Sequence, residues 1–196
     1  MTSLYLASQS PRRRELLAQI GVHIETLSVN VPEVPAAGES PEQYVCRLAL
    51  EKSRAGVLRL SELGLPGRPV LGADTIGVCA GRLLEKPVDE EDAVAMLMLM
   101  SGRDHLVHTA VALSNPGQQE IRLVTTEVRF RPFDEEVARR YWATGEPADK
   151  AGAYGIQGRG AALVEHINGS YSGVVGLPLA QTCELLDLFG VPYWQG

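Results

Sequence analysis

Asp74 stands inside the nearly uncharged run of residues 69–79, within Gly72-Ala-Asp-Thr75. A carboxylate there is expensive to bury unless it is hydrogen-bonded, paired or metal-bound. Either it ends a strand and is satisfied by backbone N–H groups, or it is a metal ligand or a base that activates water. Lys52 is the second anomaly. Val45, Leu48, Ala55 and Leu58 recur at helical steps of three and four, and Lys52 falls inside that stripe. Its chain either snorkels to solvent or aims an ammonium across a sheet at an anion. Lys86, in Glu85-Lys-Pro87, is held extended by the following proline, so a solvated loop lysine and an aimed cation are both open. Arg12 and Arg13 follow Ser10-Pro11, an N-cap and a proline at the first helical position. Cations are disfavoured at that end of a helix, which leaves a solvated basic turn or a polyanion held by helix N–H groups and guanidinium forks. Arg12, Arg13, Lys52 and Lys86 together carry enough charge to balance most of a triphosphate.

Gly152-Ala-Tyr-Gly-Ile-Gln-Gly158 has a glycine every third residue, with neither P-loop nor GxGxxG spacing. It is an irregular turn, or a segment built for close approach of a ligand. On the second reading Gln157 offers a donor beside an acceptor, which complements the N3–H and O4 edge of uracil or thymine.

The elements that must position these groups alternate along the chain. Strands are expected over 3–7 and 23–29 around a helix over 11–20. Ser40-Pro41-Glu42-Gln43 is a capping box that starts a helix running to about Leu60, with Arg47 and Glu51 as a surface pair. A buried strand over 69–79 turns at Ala80-Gly81 into 82–85. Asp89 to Asp92 open a third helix; strands over 106–113 and 121–131 join through Asn115-Pro116-Gly117. A helix over 134–144, a glycine-dense loop over 145–160, a strand over 161–167 and a last helix over 178–189 complete the chain. Hairpins beside helical crossovers predict an α/β fold with a mixed sheet. Met96, Met98 and Met100 read as helix packing, Trp142 and Trp194 as packing anchors. His105 and His108, three apart on a strand, face opposite sides and make a poor metal pair.

The 196 residues, 45% hydrophobic and 21% charged, suit an ordinary globular protein. A net charge of −6 argues against a general nucleic-acid binder, so positive charge for an anion must be local. The apolar runs are too short to span a membrane and no signal peptide is read. Cys46, Cys79 and Cys183 lack metal-ligand spacing and read as thiols of a reducing compartment, so a cytoplasmic protein is expected.

Leu6-Ala-Ser-Gln-Ser-Pro-Arg-Arg13, Glu51-Lys-Ser53, Gly72-Ala-Asp-Thr75, Glu85-Lys-Pro87, Ser101-Gly102, Asp149-Lys-Ala-Gly152 and Gly176-Leu-Pro178 occur in this order along nearly the whole chain. Together they resemble the Maf family of nucleoside triphosphate pyrophosphatases. The Tyr154-Gly-Ile-Gln157 segment resembles its dTTP/UTP-specific subgroup. The resemblance implies one domain over 1–196 with a mixed twisted sheet and flanking helices, elongated and two-lobed around a central cleft in an inosine-triphosphatase-like way. It implies a homodimer and Mg²⁺- or Mn²⁺-dependent hydrolysis of a nucleoside triphosphate to the monophosphate and pyrophosphate. Carried over by residue, Asp74 is the proton acceptor and a metal partner. Arg13, Lys52 and Lys86 hold phosphates with Ser8 and Ser10 nearby, and Arg12, Thr75 and Gln157 tune base choice. Relatives often carry adjacent acids after the second strand; here Pro32 precedes a single one, Glu33. Gly173 stands where several relatives have a larger residue.

The expected reaction is therefore cleavage of the α–β phosphoanhydride of dTTP and UTP. A nucleotide-binding regulator of cell division and a pool-cleansing hydrolase of modified nucleotides are the alternatives. A pure binder has no use for a carboxylate that repels phosphates, which sets Asp74 apart as the discriminating residue.

Overall fold

The computed structural model describes residues 3–194. Its elements alternate: β1 (Leu4–Leu6), α1 (Pro11–Gln19), β2 (Ile24–Thr26), α2 (Pro41–Leu63), β3 (Val70–Cys79), β4 (Arg82–Leu84), α3 (Glu90–Met100), β5 (Asp104–Asn115), β6 (Gln118–Phe130), α4 (Glu135–Trp142), β7 (Val164–Asn168), α5 (Tyr171–Val175) and α6 (Leu179–Leu188). The seven strands form one mixed sheet in the order β2-β1-β3-β5-β6-β7, with β4 paired to β3 off that path. β1 runs parallel to β2 and β3, whereas β3–β4 and β6–β7 are antiparallel. The α/β fold with a mixed sheet is as the alternation of patterns predicts.

Two compact units share the chain. The first comprises residues 3–74, 109–124 and 176–194; the second comprises 75–108 and 125–175. Strands β3, β5 and β6 contribute to both.

In the first unit, Tyr5, Ala7, Leu27, Leu60 and Val70 are buried together, with Val29 and Val57 against them. Helix α2 begins at the expected capping box and ends at Gly64, which takes the left-handed conformation with φ 62°. Its buried face carries Tyr44, Val45, Leu48, Ala49, Ser53, Gly56 and Leu60. Leu58, expected on that stripe, is instead 67% exposed. The helix lies so close to β3 that small side chains are required at the crossing. A Cβ on Gly72 would collide with the carbonyl oxygen of Ala49 and the N–H of Ser53, and one on Gly56 would collide with Val70 Cγ1. Ser53 Oγ seals the crossing by donating to the Val70 carbonyl at 2.8 Å.

In the second unit, the hairpin from β3 to β4 turns at Ala80 and Gly81, both with positive φ, as a two-residue turn demands. Asp89 and Asp134 cap α3 and α4 by accepting from the N–H groups of Asp92 and Val137. Arg139 on α4 pairs with Glu90 and Glu91 of α3 and with Glu135 of its own helix. Phe130, His105 and Tyr154 stack edge to face in the core.

Four local expectations are corrected. The strand over 161–167 is shorter and later, because 3₁₀ turns occupy Glu146–Asp149, Ala151–Ala153 and Arg159–Leu163 before β7 begins. Helix α5 was not expected; Ser170 starts it by accepting the Gly173 N–H on its Oγ at 3.0 Å. Trp194 is not a packing anchor. Its backbone N–H is held by the Ile20 carbonyl, yet the residue is 75% exposed. Met96 and Met100 are buried as expected, whereas Met98 is 37% exposed.

Candidate active site

The site begins where β1 ends. Ser8 Oγ accepts the Ser10 N–H at 3.1 Å and an Arg13 guanidinium N–H at 3.3 Å. Ser10, the N-cap of α1, accepts the Arg13 backbone N–H at 3.4 Å. Arg13 Nε then donates to the Gly176 carbonyl at 2.8 Å, which fixes the plane of its fork. No acid occupies the first turn of α1 to offset Arg12 and Arg13. The basic start of that helix is a tethered structure, and both arginines are half-buried.

Asp74 is held by packing from below. Gly72 admits the backbone of α2 between Ala49 and Ser53, so Lys52 projects beside the strand two residues further on. Lys52 Nζ donates to Asp74 Oδ1 at 2.7 Å and to Glu33 Oε1 at 2.6 Å. The Lys52 and Asp74 side chains are only 12% and 11% exposed, so this is an ion pair with little water to screen it. Burial pushes the Asp74 carboxyl above the usual carboxylate range. The charges of Lys52 and Arg13 pull against that rise without cancelling it, and Glu33 adds to it. Loss of water likewise lowers the Arg13 guanidinium, against the attraction of Asp74.

Of the residues expected to act, Ser8, Ser10, Arg12, Arg13, Lys52 and Asp74 therefore lie in the first unit. Hydrogen bonds link Ser8 and Ser10 to Arg13 and Lys52 to Asp74. Thr75, the next residue of β3, is half-buried and opens the second unit. Lys86 and Gln157 belong to that unit and are exposed. Lys86 borders an open depression of about 410 Å³ with Arg82, Asp89 and Asp92. His105 and His108 have separate partners, Tyr154 and Thr125, as their spacing predicts.

Glu33 is the residue whose role the sequence left open. Its only signal is an isolated acid after Pro32 in a loop. Among the described residues, no group of three or more His, Cys, Asp or Glu side chains is arranged to hold a metal. Two carboxylates meeting at one cationic atom are nevertheless the donor set that Mg²⁺ takes, since it binds through one or two carboxylates and completes its shell with water and substrate phosphates.

Residues 3–189 match the family model described as Maf-like protein. The chain belongs to the Maf-like family. It is 58% identical over 192 residues to a dTTP/UTP pyrophosphatase of Saccharophagus degradans, which covers 98% of this chain and 91% of that protein. A dTTP/UTP pyrophosphatase of Aromatoleum aromaticum is 54% identical over 96% of each chain. One from Escherichia coli O157:H7 is also 54% identical, over 96% of this chain and 94% of its own. Among the described residues of this Maf-like chain, no helix is long and apolar enough to cross a membrane.

Proposed function

We infer that this Maf-like protein hydrolyses dTTP and UTP at the α–β phosphoanhydride, releasing the nucleoside monophosphate and pyrophosphate. The observation that carries the reading is Asp74, a buried carboxylate with raised proton affinity beside the cations of Lys52 and Arg13. A protein that only bound nucleotide would gain nothing from that carboxylate.

In the reaction, Asp74 accepts a proton from the water that attacks the α-phosphorus. Raised proton affinity brings the carboxylate closer to the pKa at which a general base is both ionised and effective near neutral pH. As the bond to the β-phosphate breaks, negative charge builds on the departing pyrophosphate. Arg13 presents a fixed guanidinium fork to it, and Lys52 has a third N–H beyond the two spent on Glu33 and Asp74. Ser8 and the Gly176 carbonyl hold the fork in place, Ser10 caps the helical turn that carries it, and Lys86 adds a further cation for the phosphates. Glu33 and Asp74 are the residues to hold Mg²⁺ or Mn²⁺, which when bound supplies charge to the phosphates and acidity to water. Arg12, Thr75 and Gln157 are assigned to choice of base, with Gln157 matching the donor and acceptor edge shared by uracil and thymine. A cytoplasmic homodimer is the assembly proposed with this activity.

The test is a panel of nucleoside triphosphates with Mg²⁺ or Mn²⁺, assayed separately for pyrophosphate and orthophosphate. Pyrophosphate from dTTP and UTP supports the assignment. Orthophosphate alone would mean attack at the terminal phosphorus and a different enzyme.

A further inference from the structure

The segment that carries Gln157 is organised around one carboxylate that the mechanism above does not use. Glu146 Oε1 accepts the Tyr141 hydroxyl at 2.7 Å and the Gly160 N–H at 3.0 Å. Its Oε2 accepts the Arg159 N–H at 2.8 Å. Tyr141 in turn accepts the Gly155 N–H on its hydroxyl at 3.0 Å. Three backbone N–H groups that bracket Gln157 on both sides therefore end on the Glu146–Tyr141 pair. Lys150 Nζ ties the same turn by donating to the Glu146 carbonyl at 2.8 Å.

The glycines of this segment follow from that arrangement. A Cβ on Gly158 would collide with the Glu146 carboxylate, one on Gly160 would stand 2.7 Å from the Gly155 carbonyl, and one on Gly155 would stand 2.8 Å from Lys150 Cε. At Gly158 the chain lies too close to the carboxylate for a side chain, and at Gly160 too close to the Tyr141 hydroxyl and the Gly155 backbone. Beneath it, Tyr154 is anchored by Phe130 and by the His105 ring, whose Nε2 lies 2.8 Å from the Tyr154 hydroxyl. Ile156 is buried, and Gln157 alone between Tyr154 and Gly158 projects into solvent as a long polar side chain.

We propose that Glu146, acting with the Tyr141 hydroxyl, is the positioning residue that holds the Gly155–Gly160 backbone in the shape that discriminates among nucleotide bases. The proposal rests on the reading that this segment meets the base. An amide reads a base edge through two hydrogen bonds at fixed separation, so its backbone must be rigid for mismatch to cost anything. N–H bonds to an ionised carboxylate are stronger than neutral ones and suit that purpose. Burial raises the proton affinity of Glu146, but the hydrogen bonds from Tyr141, Gly160 and Arg159 outweigh it and keep the carboxyl below its usual range, so the bracing acceptor stays ionised.

Glu146→Ala, Glu146→Gln, Tyr141→Phe and Gln157→Ala are compared for kcat and KM on UTP, dTTP and CTP. Amide hydrogen exchange at Gly155, Arg159 and Gly160 is followed in parallel. Glu146→Ala is expected to lower the UTP-to-CTP ratio of kcat/KM by about tenfold, mainly through KM, and to speed exchange at Arg159 and Gly160. Glu146→Gln, which keeps one acceptor oxygen, falls between it and the native protein. Tyr141→Phe speeds exchange at Gly155, lowers the ratio in the same direction, and decides the matter should Glu146→Ala not fold. Base preference and KM within twofold of native in the folded variants overturn the proposal, whatever Gln157→Ala does. An unchanged ratio in Gln157→Ala beside a lowered one in Glu146→Ala removes Gln157 as the reader and keeps Glu146 as the brace.

Discussion

Lys52 Nζ lies 2.7 Å from Asp74 Oδ1, the two residues sitting on a helix and a strand whose backbones come together where Gly72 leaves no side chain between them. Lys52 also reaches Glu33 at 2.6 Å, so one ammonium is shared between two carboxylates. The pair sets how readily Asp74 takes a proton. Removing the cation with Lys52→Met raises the proton affinity of Asp74, and the acid limb of the kcat/KM profile moves to higher pH. Glu33→Gln removes a like charge and moves that limb to lower pH. Profiles from pH 4 to 9 on dTTP check both directions, and limbs that stay in place or move the opposite way contradict the assignment.

Gly72 makes the pairing possible. Gly72→Ala places a methyl group against the backbone of Ala49 and Ser53, where nothing flexible can yield. The expected cost is about 1–3 kcal/mol of stability, with a loss of turnover larger than that of a distant variant of equal stability. Denaturant titration beside steady-state kinetics separates the two effects.

His105 gives the fold an acid sensitivity unrelated to catalysis. Burial lowers its pKa from 6.5 to about 4, only partly opposed by the charge of Asp104. The unfolded chain binds this proton between those values and the folded chain does not, so stability is fully present above pH 6.5 and is lost as pH falls towards 4. The shift corresponds to about 3 kcal/mol. His105→Phe removes that slope, as urea denaturation at pH 7 and pH 4.5 would measure; an unaltered slope would contradict the account.

With two carboxylates and no third protein ligand among the described residues, the metal expected with the substrate is not a structural one. Chelation is expected to stop pyrophosphate release while leaving the thermal midpoint of the nucleotide-free protein in place. A midpoint that falls on chelation would instead indicate a metal that the fold itself needs.

The parts of this structure that were legible in the sequence are those decided locally. Ser10 and Ser40 cap helices as expected, because a cap is a matter of three or four neighbouring residues, and Asp89 and Asp134, expected as the first residues of their helices, are the caps of those helices. Ala80-Gly81 and the Asn115 turn are equally local; the Asn115 side chain itself accepts the Gly117 and Gln118 N–H groups. Asp74 and Lys52 were conspicuous one at a time, as charges in apolar surroundings. That they touch was not legible, since it depends on how closely Gly72 lets α2 approach β3. Glu33 was placed by the same long-range packing. Leu58 was misjudged because helical spacing alone does not say which side of a stripe turns to solvent. The 3₁₀ turn over Arg159–Leu163 displaced a strand because its start is pinned to Glu146, thirteen residues earlier, and no local pattern records that bond.

The proposed mechanism turns on Asp74 as the base for cleavage between the α- and β-phosphates. The most direct measurement is pyrophosphate release from dTTP by Asp74→Asn, beside binding of the same nucleotide. Turnover is expected to fall by about 10²–10⁴-fold with nucleotide affinity largely kept. Turnover close to that of the native protein would contradict it.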